Sequence, residues 1–358
     1  MREKQTEFRS AASALLGRAA SARVTPGAVL AVGTSEAAWQ PLAAGSLTYD
    51  GPAVSEDTLY DLASLTKVVA CLPALLKLLD AGEISLDQTV KHFFSNAGWF
   101  QEPSLGDVTL EELTLHSSGL PAWRALFAWV SGRDAQRANV LQSSLSGTRG
   151  AYEYSDLGVM ILGFVIERVT GEPLDSFVKR EVFDPLGMTS VRYGPLPPAS
   201  NVAPTEDDGW RGRLLAGEVH DENAWSMGGV SAHAGLFGSA ADVLRYARAW
   251  LKREVPFCRE EWLLEAVRDR SRGAGPERGI LWRLNSENWP VGMAMSDSAY
   301  GHTGFTGTSI LIDPVQDWAC VLLTNRVHPR RASADGVMAL RRDVHALVAQ
   351  TLGGSARG

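Results

Sequence analysis

Three short apolar runs constrain this chain most: Ala28–Gly33 near its beginning, and Thr308–Asp313 and Trp318–Thr324 near the end of its 358 residues. Each is bounded by turn residues and is too short for a buried helix, so each reads as a buried strand. The last two, joined by Pro314–Asp317, form a hairpin pattern. Between the first strand and that hairpin the spacing is helical, over 62–79, 110–115, 122–145, 156–170, 174–183 and 240–252. Gly82, Gly171, Pro173 and Pro185 supply stops. Helices are also predicted over 5–22, where Phe8, Ala12, Leu15, Leu16 and Ala19 share a face, and over about 334–352. Residues 194–217, rich in Pro, Gly, Asp and Arg, read as a surface excursion. A strand whose partners lie at the other end of the chain demands a non-contiguous layer. The expected fold is therefore α/β (α+β), an antiparallel β-sheet flanked by helices, with an inserted, mainly helical domain. Residues 1–62 together with 225–358 would build the sheet domain and 63–224 the helical one, with a site in the cleft between them.

A hydrophobic content of 45% suffices for such a core, and the net charge of −7 supplies no basic stripe for nucleic acid. Arg330, Arg331, Arg341 and Arg342 form the densest basic cluster and are expected on a solvated loop and helix face. No apolar run reaches the roughly 18 residues of a membrane span. Cys71, Cys258 and Cys320 are far apart, which argues against a disulfide framework and fits a reducing compartment. The first residues carry charges of both signs, and the apolar stretch after them is broken by Arg18. They lack the form of a secretory signal, so a cytoplasmic location is expected.

The chemistry starts at Ala63-Ser64-Leu65-Thr66-Lys67, at the beginning of a predicted helix. Ser64 and Lys67, three apart, share a face and can touch. A serine hydroxyl is a weak nucleophile until a neighbouring base takes its proton. Unpaired N–H groups at a helix start favour the negative charge that develops in attack on a carbonyl. The spacing alone is weak evidence, since Ser176 and Lys179 repeat it in an amphipathic helix with no polar partners following. That pair is expected to be structural.

Two further motifs follow Ser64 in order: Tyr154-Ser155-Asp156, 90 residues on, and His302-Thr303-Gly304, 148 residues after Tyr154. With them the chain resembles the serine β-lactamases of class C, the DD-peptidases and related esterases and amidases, which carry SxxK, YxN and KTG in that order. Leu115-His116-Ser-Ser-Gly-Leu-Pro121, Tyr154-Ser-Asp-Leu-Gly158, Val169-Thr-Gly171 and Phe183-Asp-Pro-Leu-Gly-Met188 resemble further stretches of that family. The likeness runs from about residue 24 to 350. It implies Ser64 as acylated nucleophile, Lys67 and Tyr154 sharing the proton transfers, and an oxyanion hole of the Ser64 and Phe305 backbone N–H groups. It also places His302, Thr303 and Gly304 on an edge strand along which substrate lies, with Gly304 leaving room for it.

Two departures bear on substrate. Asp156 stands where β-lactamases have Asn, and an ionised Asp only accepts hydrogen bonds. It is expected to meet Lys67 or a substrate amine. His302 replaces the third-motif Lys and is only partly charged near neutrality, so its grip on a substrate carboxylate should weaken as pH rises. Efficient β-lactamase activity is not expected.

Glu218-Val-His220-Asp221-Glu-Asn223 and Met227-Gly-Gly-Val-Ser-Ala-His233-Ala-Gly-Leu-Phe237 resemble a stretch of penicillin-binding-protein 4B-like enzymes and muropeptide amidases. His220 and His233 there belong either to a substrate-facing loop or to a network that fixes the loop. No HExxH-type pairing supports a metal, and neither metal nor cofactor is expected. His92, His328 and His345 are expected on the surface. Trp123, Trp129 and Trp225 are candidate apolar faces for a sugar.

The expected activity is hydrolysis of an amide in a cell-wall peptide or muropeptide fragment through acyl-Ser64. A carboxylesterase on small esters passes through the same intermediate. A non-catalytic peptide sensor is disfavoured because Ser64, Lys67 and Tyr154 are all present, and no GxSxG elbow suggests an α/β-hydrolase. The partner is a small-molecule or peptide substrate, and the sequence carries no sign of oligomeric state.

Overall fold

The computed structural model describes residues 2–95, 105–197, 201–271, 275–286, 289 and 294–353. Helix α1 (Arg2–Ser21) leads into strands β1 (Gly27–Gly33) and β2 (Leu42–Gly45). Strand β3 (Tyr60–Asp61) precedes a π-helical turn, Lys67–Cys71, which runs into α2 (Leu72–Asp80). The helical middle follows as α3 (Val90–Phe93), α4 (Leu110–Thr114), α5 (Arg133–Leu141), α6 (Asp156–Thr170) and α7 (Leu174–Val178). Next come β4 (Arg192–Tyr193), a small hairpin of β5 (Asp207–Asp208) and β6 (Arg213–Leu214), α8 (Glu222–Ser226) and β7 (Leu236–Gly238). Helices α9 (Ala240–Lys252) and α10 (Glu260–Ala266) precede β8 (Arg283–Leu284), β9 (Tyr300–Thr303), β10 (Ser309–Asp313), β11 (Trp318–Thr324) and α11 (Asp335–Leu352).

The predicted early strand and late hairpin meet in one antiparallel sheet of order β2-β1-β11-β10-β9-β8. Leu30 lies opposite Leu322, and Leu311 opposite Cys320. Leu30, Val32, Trp318 and Leu322 pack beneath Phe8 and Leu16 of α1 and Val344 and Val348 of α11. Val29, Ala31, Ile310 and Val321 face Val243, Tyr246 and Trp250 of α9, and this core continues into the helices around α6. Both faces are covered, so the strands read as continuous apolar runs rather than as alternation.

Helix α6 is buried on all sides from Leu157 to Ile166. Ser155 caps it by accepting from Gly158 N–H, and Gly171, at φ 72°, ends it. This fixes Asp156 in its first turn.

The helix expected over 122–145 is shorter. A single 3-10 turn, Leu126–Ala128, precedes α5. Asn223 takes backbone groups that a helix would have bonded internally, donating to Arg124 O at 2.9 Å and accepting from Phe127 N–H at 3.1 Å. The 194–217 excursion contains the β5–β6 hairpin, and its residues 198–200 lie outside the described residues. His92 is exposed, but His328 and His345 are buried, with His345 against Ser309. Arg341 is buried too, so the basic cluster is not a solvated face throughout. Cys71, Cys258 and Cys320 are all free. Among the described residues no helix is long and apolar enough to cross a membrane.

Candidate active site

The segment before Ser64 is held under strain. Ala63 adopts φ 47°, a left-handed conformation that an L residue enters only when its surroundings impose it. Asp61 imposes it: one carboxylate oxygen accepts from Ala63 N–H at 2.8 Å and the other from His220 N–H at 2.7 Å. Thr306 and Thr308 donate to the Asp61 and Leu62 carbonyls at 2.8 and 3.1 Å, tying the loop after β9 to the nucleophile segment. Ser64 then opens a helical turn, its carbonyl accepting from Lys67 N–H at 3.1 Å. Among the described residues, neither the Ser64 nor the Phe305 backbone N–H has an acceptor. Both remain available to an incoming oxygen.

Lys67 is fully buried, at the start of the π-helical turn. Such turns recur at functional sites. Its ammonium donates to Ser64 Oγ at 2.8 Å and to His233 O at 3.2 Å, and pairs with Asp156 Oδ1 at 2.8 Å. Burial alone would push the ammonium's pKa down, but the neighbouring Asp156 and Tyr154 outweigh that and hold it above the ordinary lysine value. At neutral pH, then, Lys67 is a cation that orients Ser64 and cannot itself accept the serine proton.

Tyr154 sits among four basic side chains. Lys67 Nζ lies 5.0 Å and the Arg278 guanidinium 5.6 Å from its ring centre. The His116 ring is 4.5 Å away and the His302 ring 6.2 Å. His116, at φ 55°, accepts from Ser155 N–H through Nδ1 at 3.1 Å, which fixes its tautomer. Burial, Arg278 and Lys67 hold the His116 pKa well below the usual imidazole value, and burial, Lys67 and Arg278 do the same to His302. His302 is therefore neutral near pH 7, with Nδ1 donating to Thr303 O at 2.9 Å. The expected loss of carboxylate binding through a histidine titration near neutrality is corrected accordingly.

Gly304 serves the protein's own backbone. A Cβ there would fall 2.1 Å from Thr308 Oγ1 and 2.9 Å from Leu62 O. The expectation that its smallness makes room for substrate gives way to that close approach. Arg341 of α11 donates to the Gly304 and Thr308 carbonyls, each at 2.8 Å, pinning the same turn from behind.

His220 and His233 carry a polar network. His233 joins Ser231 Oγ at 2.7 Å through Nδ1 and Asp221 Oδ1 at 2.9 Å through Nε2. His220 joins Glu206 at 2.8 Å through Nε2 and stacks on Phe305 at 5.6 Å. Burial would raise Glu206, but bonds from His220 and Arg331 bring its pKa down to about 2. Both histidines border the cleft, and their ring bonds brace the loop that presents Asp221 and Glu222. Among the described residues no group of three His, Cys, Asp or Glu could hold a metal. Ser176 is exposed and Lys179 pairs with Asp184, away from this cleft.

Around Ser64 lies a cavity of about 720 Å³. Asp156, Asp221 and Glu222 line it together with Arg278 and Arg283. Arg278 is buried, donates to Tyr152 Oη at 2.9 Å, and leaves Nε and Nη1 without a hydrogen-bond partner among the described residues. Burial, then Arg278, brings the Arg283 pKa down to about 10, so it stays charged at neutral pH. Sequence reasoning missed Asp61, Arg278 and Arg283, because no local pattern marks them. His116 was visible within its quoted stretch, but its role was not.

Residues 12–342 match the family model described as Beta-lactamase. Over 322 residues the chain is 32% identical to the Escherichia coli K12 protein named "Putative D-alanyl-D-alanine carboxypeptidase", spanning 78% of this chain and 73% of that relative. Over 308 residues it is 32% identical to the "N-acetylmuramyl-L-alanine amidase" of Bacillus subtilis strain 168, spanning 76% and 68% respectively. A solved class C beta-lactamase shares the fold at a TM-score of 0.76 and 17% identity, over 94% of this chain and 95% of that one. A fold, a cleft and a matched family model agree, and the chain belongs to the beta-lactamase family as a serine hydrolase.

Proposed function

We propose that this hydrolase cleaves an amide of a soluble cell-wall peptide or muropeptide fragment through an acyl-Ser64 intermediate. The observation that carries the reading is the two-signed lining of the cavity beside Ser64, with Asp156, Asp221 and Glu222 against Arg278 and Arg283. Such a lining suits a zwitterionic peptide better than a small neutral ester. At about 720 Å³ the cavity takes a compact fragment rather than a polymer. The relatives named for carboxypeptidase and amidase activity support the same substrate class. Three free cysteines suit a cytoplasmic setting, where recycled fragments are small.

In the proposed reaction, Ser64 Oγ attacks the carbonyl carbon while the Ser64 and Phe305 N–H groups receive the oxyanion. Tyr154, reacting as the phenolate beside the Lys67 ammonium, takes the serine proton on Oη and returns it to the leaving nitrogen as the C–N bond breaks. Water then attacks the acyl-enzyme by the same route, releasing the acid and restoring Ser64. Asp156 keeps Lys67 charged and lines the cleft.

The test is mass spectrometry of products from purified protein and soluble muropeptides, beside kinetics on short nitrophenyl esters. Release of peptide or amino acid, absent in Ser64→Ala, is expected. Intact muropeptides together with kcat/KM above roughly 10⁴ M⁻¹s⁻¹ on an ester would overturn the reading in favour of an esterase. Inactivity on both, with peptide still bound, would favour a sensor.

A further inference from the structure

Beside the cleft, the chain exposes large aromatic rings on a scaffold built to hold them. Trp123 lines the catalytic cavity and is 45% exposed. Its ring centre is 6.2 Å from that of Phe127, which is 4.6 Å from Trp210, itself 52% exposed. Trp210 is in turn 5.3 Å from Trp225. The last two contacts are edge-to-face, at 67° and 84°, so these rings do not stack face to face on one another.

The rings come from three separate segments, each braced by a buried polar side chain. Asn223 holds the Arg124–Phe127 loop. Asp208 accepts from Trp210 and Arg211 N–H at 2.7 and 3.2 Å, fixing the turn of the β5–β6 hairpin. The buried Arg211 guanidinium lies 5.9 Å from the Trp210 ring centre and 5.3 Å from that of Trp225, and donates to Val219 O and His220 O, each at 2.7 Å. Exposed apolar surface held this firmly, and continuous with a substrate cleft, marks a binding surface.

We propose that Trp123, Phe127, Trp210 and Trp225 form a stacking platform for the pyranose ring of an N-acetylated amino sugar attached to the peptide that Ser64 attacks. The inference rests on the muropeptide reading and names the part of the substrate outside the cavity. A pyranose has a flat C–H face, which aromatic faces attract, and a belt of hydroxyls, which needs polar groups beside the rings. Glu222, one helical turn before Trp225, lines the cleft at the border of the platform. Arg213, in the hairpin that presents Trp210, pairs with Glu218 at 2.8 Å. A hydrocarbon chain would instead call for aliphatic walls, and these flanks are charged.

Two ligands with the same peptide test this, one bearing the amino sugar and one bearing an acetyl group in its place. Binding is measured by calorimetry to Ser64→Ala protein, and turnover with Ser64 intact. The sugar is expected to tighten binding about tenfold or more. Trp210→Ala should remove that gain while leaving turnover of the sugar-free peptide within about twofold, and Trp210→Phe should restore most of it. Trp129→Ala, 81% exposed and outside the chain of rings, should change neither. Should Trp210→Ala fail to fold, Trp210→Leu carries the comparison. Equal affinity for the two ligands, or equal loss of both in Trp210→Ala, overturns the platform whether or not peptide is hydrolysed. A sugar preference that depends on Trp210, in a protein that cleaves neither ligand, would sustain the platform and sink the amidase reading.

Discussion

Replacing Asp156 by Asn removes the counter-charge of a fully buried ammonium and leaves its shape almost unchanged. Breaking a buried pair typically destabilises by about 3–5 kcal/mol, because the survivor stays charged and uncompensated. Asp156 is 19% exposed, so solvent offsets part of that, and about 2 kcal/mol is the magnitude this geometry supports. A change of that size moves the Lys67 titration down by about 1.5 pH units. In the wild type, Lys67 titrates above the ordinary lysine value, so its stabilisation is complete below that value and is lost only as pH climbs through the higher folded one. In Asp156→Asn a fall of that size, with Tyr154 still opposing burial, leaves the folded value above the ordinary one. Lys67 then stays protonated in both the folded and the unfolded variant across the neutral range, and the loss of stability does not vary with pH there. Melting curves from pH 6 to 9 should therefore show the variant about 3 °C below wild type throughout. Coincident melting at pH 7, or a gap that closes between pH 6 and 9, would refute this account of Lys67.

A fluorophosphonate should add one label to the Ser64–Lys67 peptide; Ser64→Ala should lose labelling and turnover, and Ser176→Ala should keep both within about twofold. Labelling that survives Ser64→Ala ends the acyl-Ser64 mechanism. Because His116 and His302 are held neutral by burial and neighbouring cations, stability should fall as pH drops below the ordinary imidazole value and stay flat above it. KM for a carboxylate-bearing substrate should not change between pH 6.5 and 8.5, and a sigmoid in that range would show His302 titrating there. Gly304→Ala should destabilise by about 1–3 kcal/mol and depress turnover; a variant that melts like wild type would mean the turn yields freely.

The sheet and the central helix were legible because each is long enough to show its period. Helix α6 covers the predicted 156–170, and β10 and β11 cover the predicted hairpin. Strands β3, β4, β7 and β8 have two or three residues each, too few for alternation to register. The buried Arg341 and His345 show another limit. They lie four apart on the face of α11 that also carries Val337, Val344 and Val348, and that face turns inward. Local composition gave these polar residues to solvent, whereas tertiary bonds to Gly304, Thr308 and Ser309 bring them inside. In the site, Ser64, Lys67, Tyr154 and Asp156 were visible through motif spacing, and the structure brings them together. Asp61, Arg278 and Arg283 act through positions distant in sequence, and nothing local announces them.

The Arg341 clamp also gives the active site a birth time. The nucleophile segment leaves the ribosome well before α11, and the turn it must meet stays unfastened until that helix is made. At about 5–20 residues per second, that wait lasts roughly tens of seconds. During it the nascent chain holds its serine and lysine without the finished turn that carries Phe305. The active site is therefore fastened only once α11 has been made.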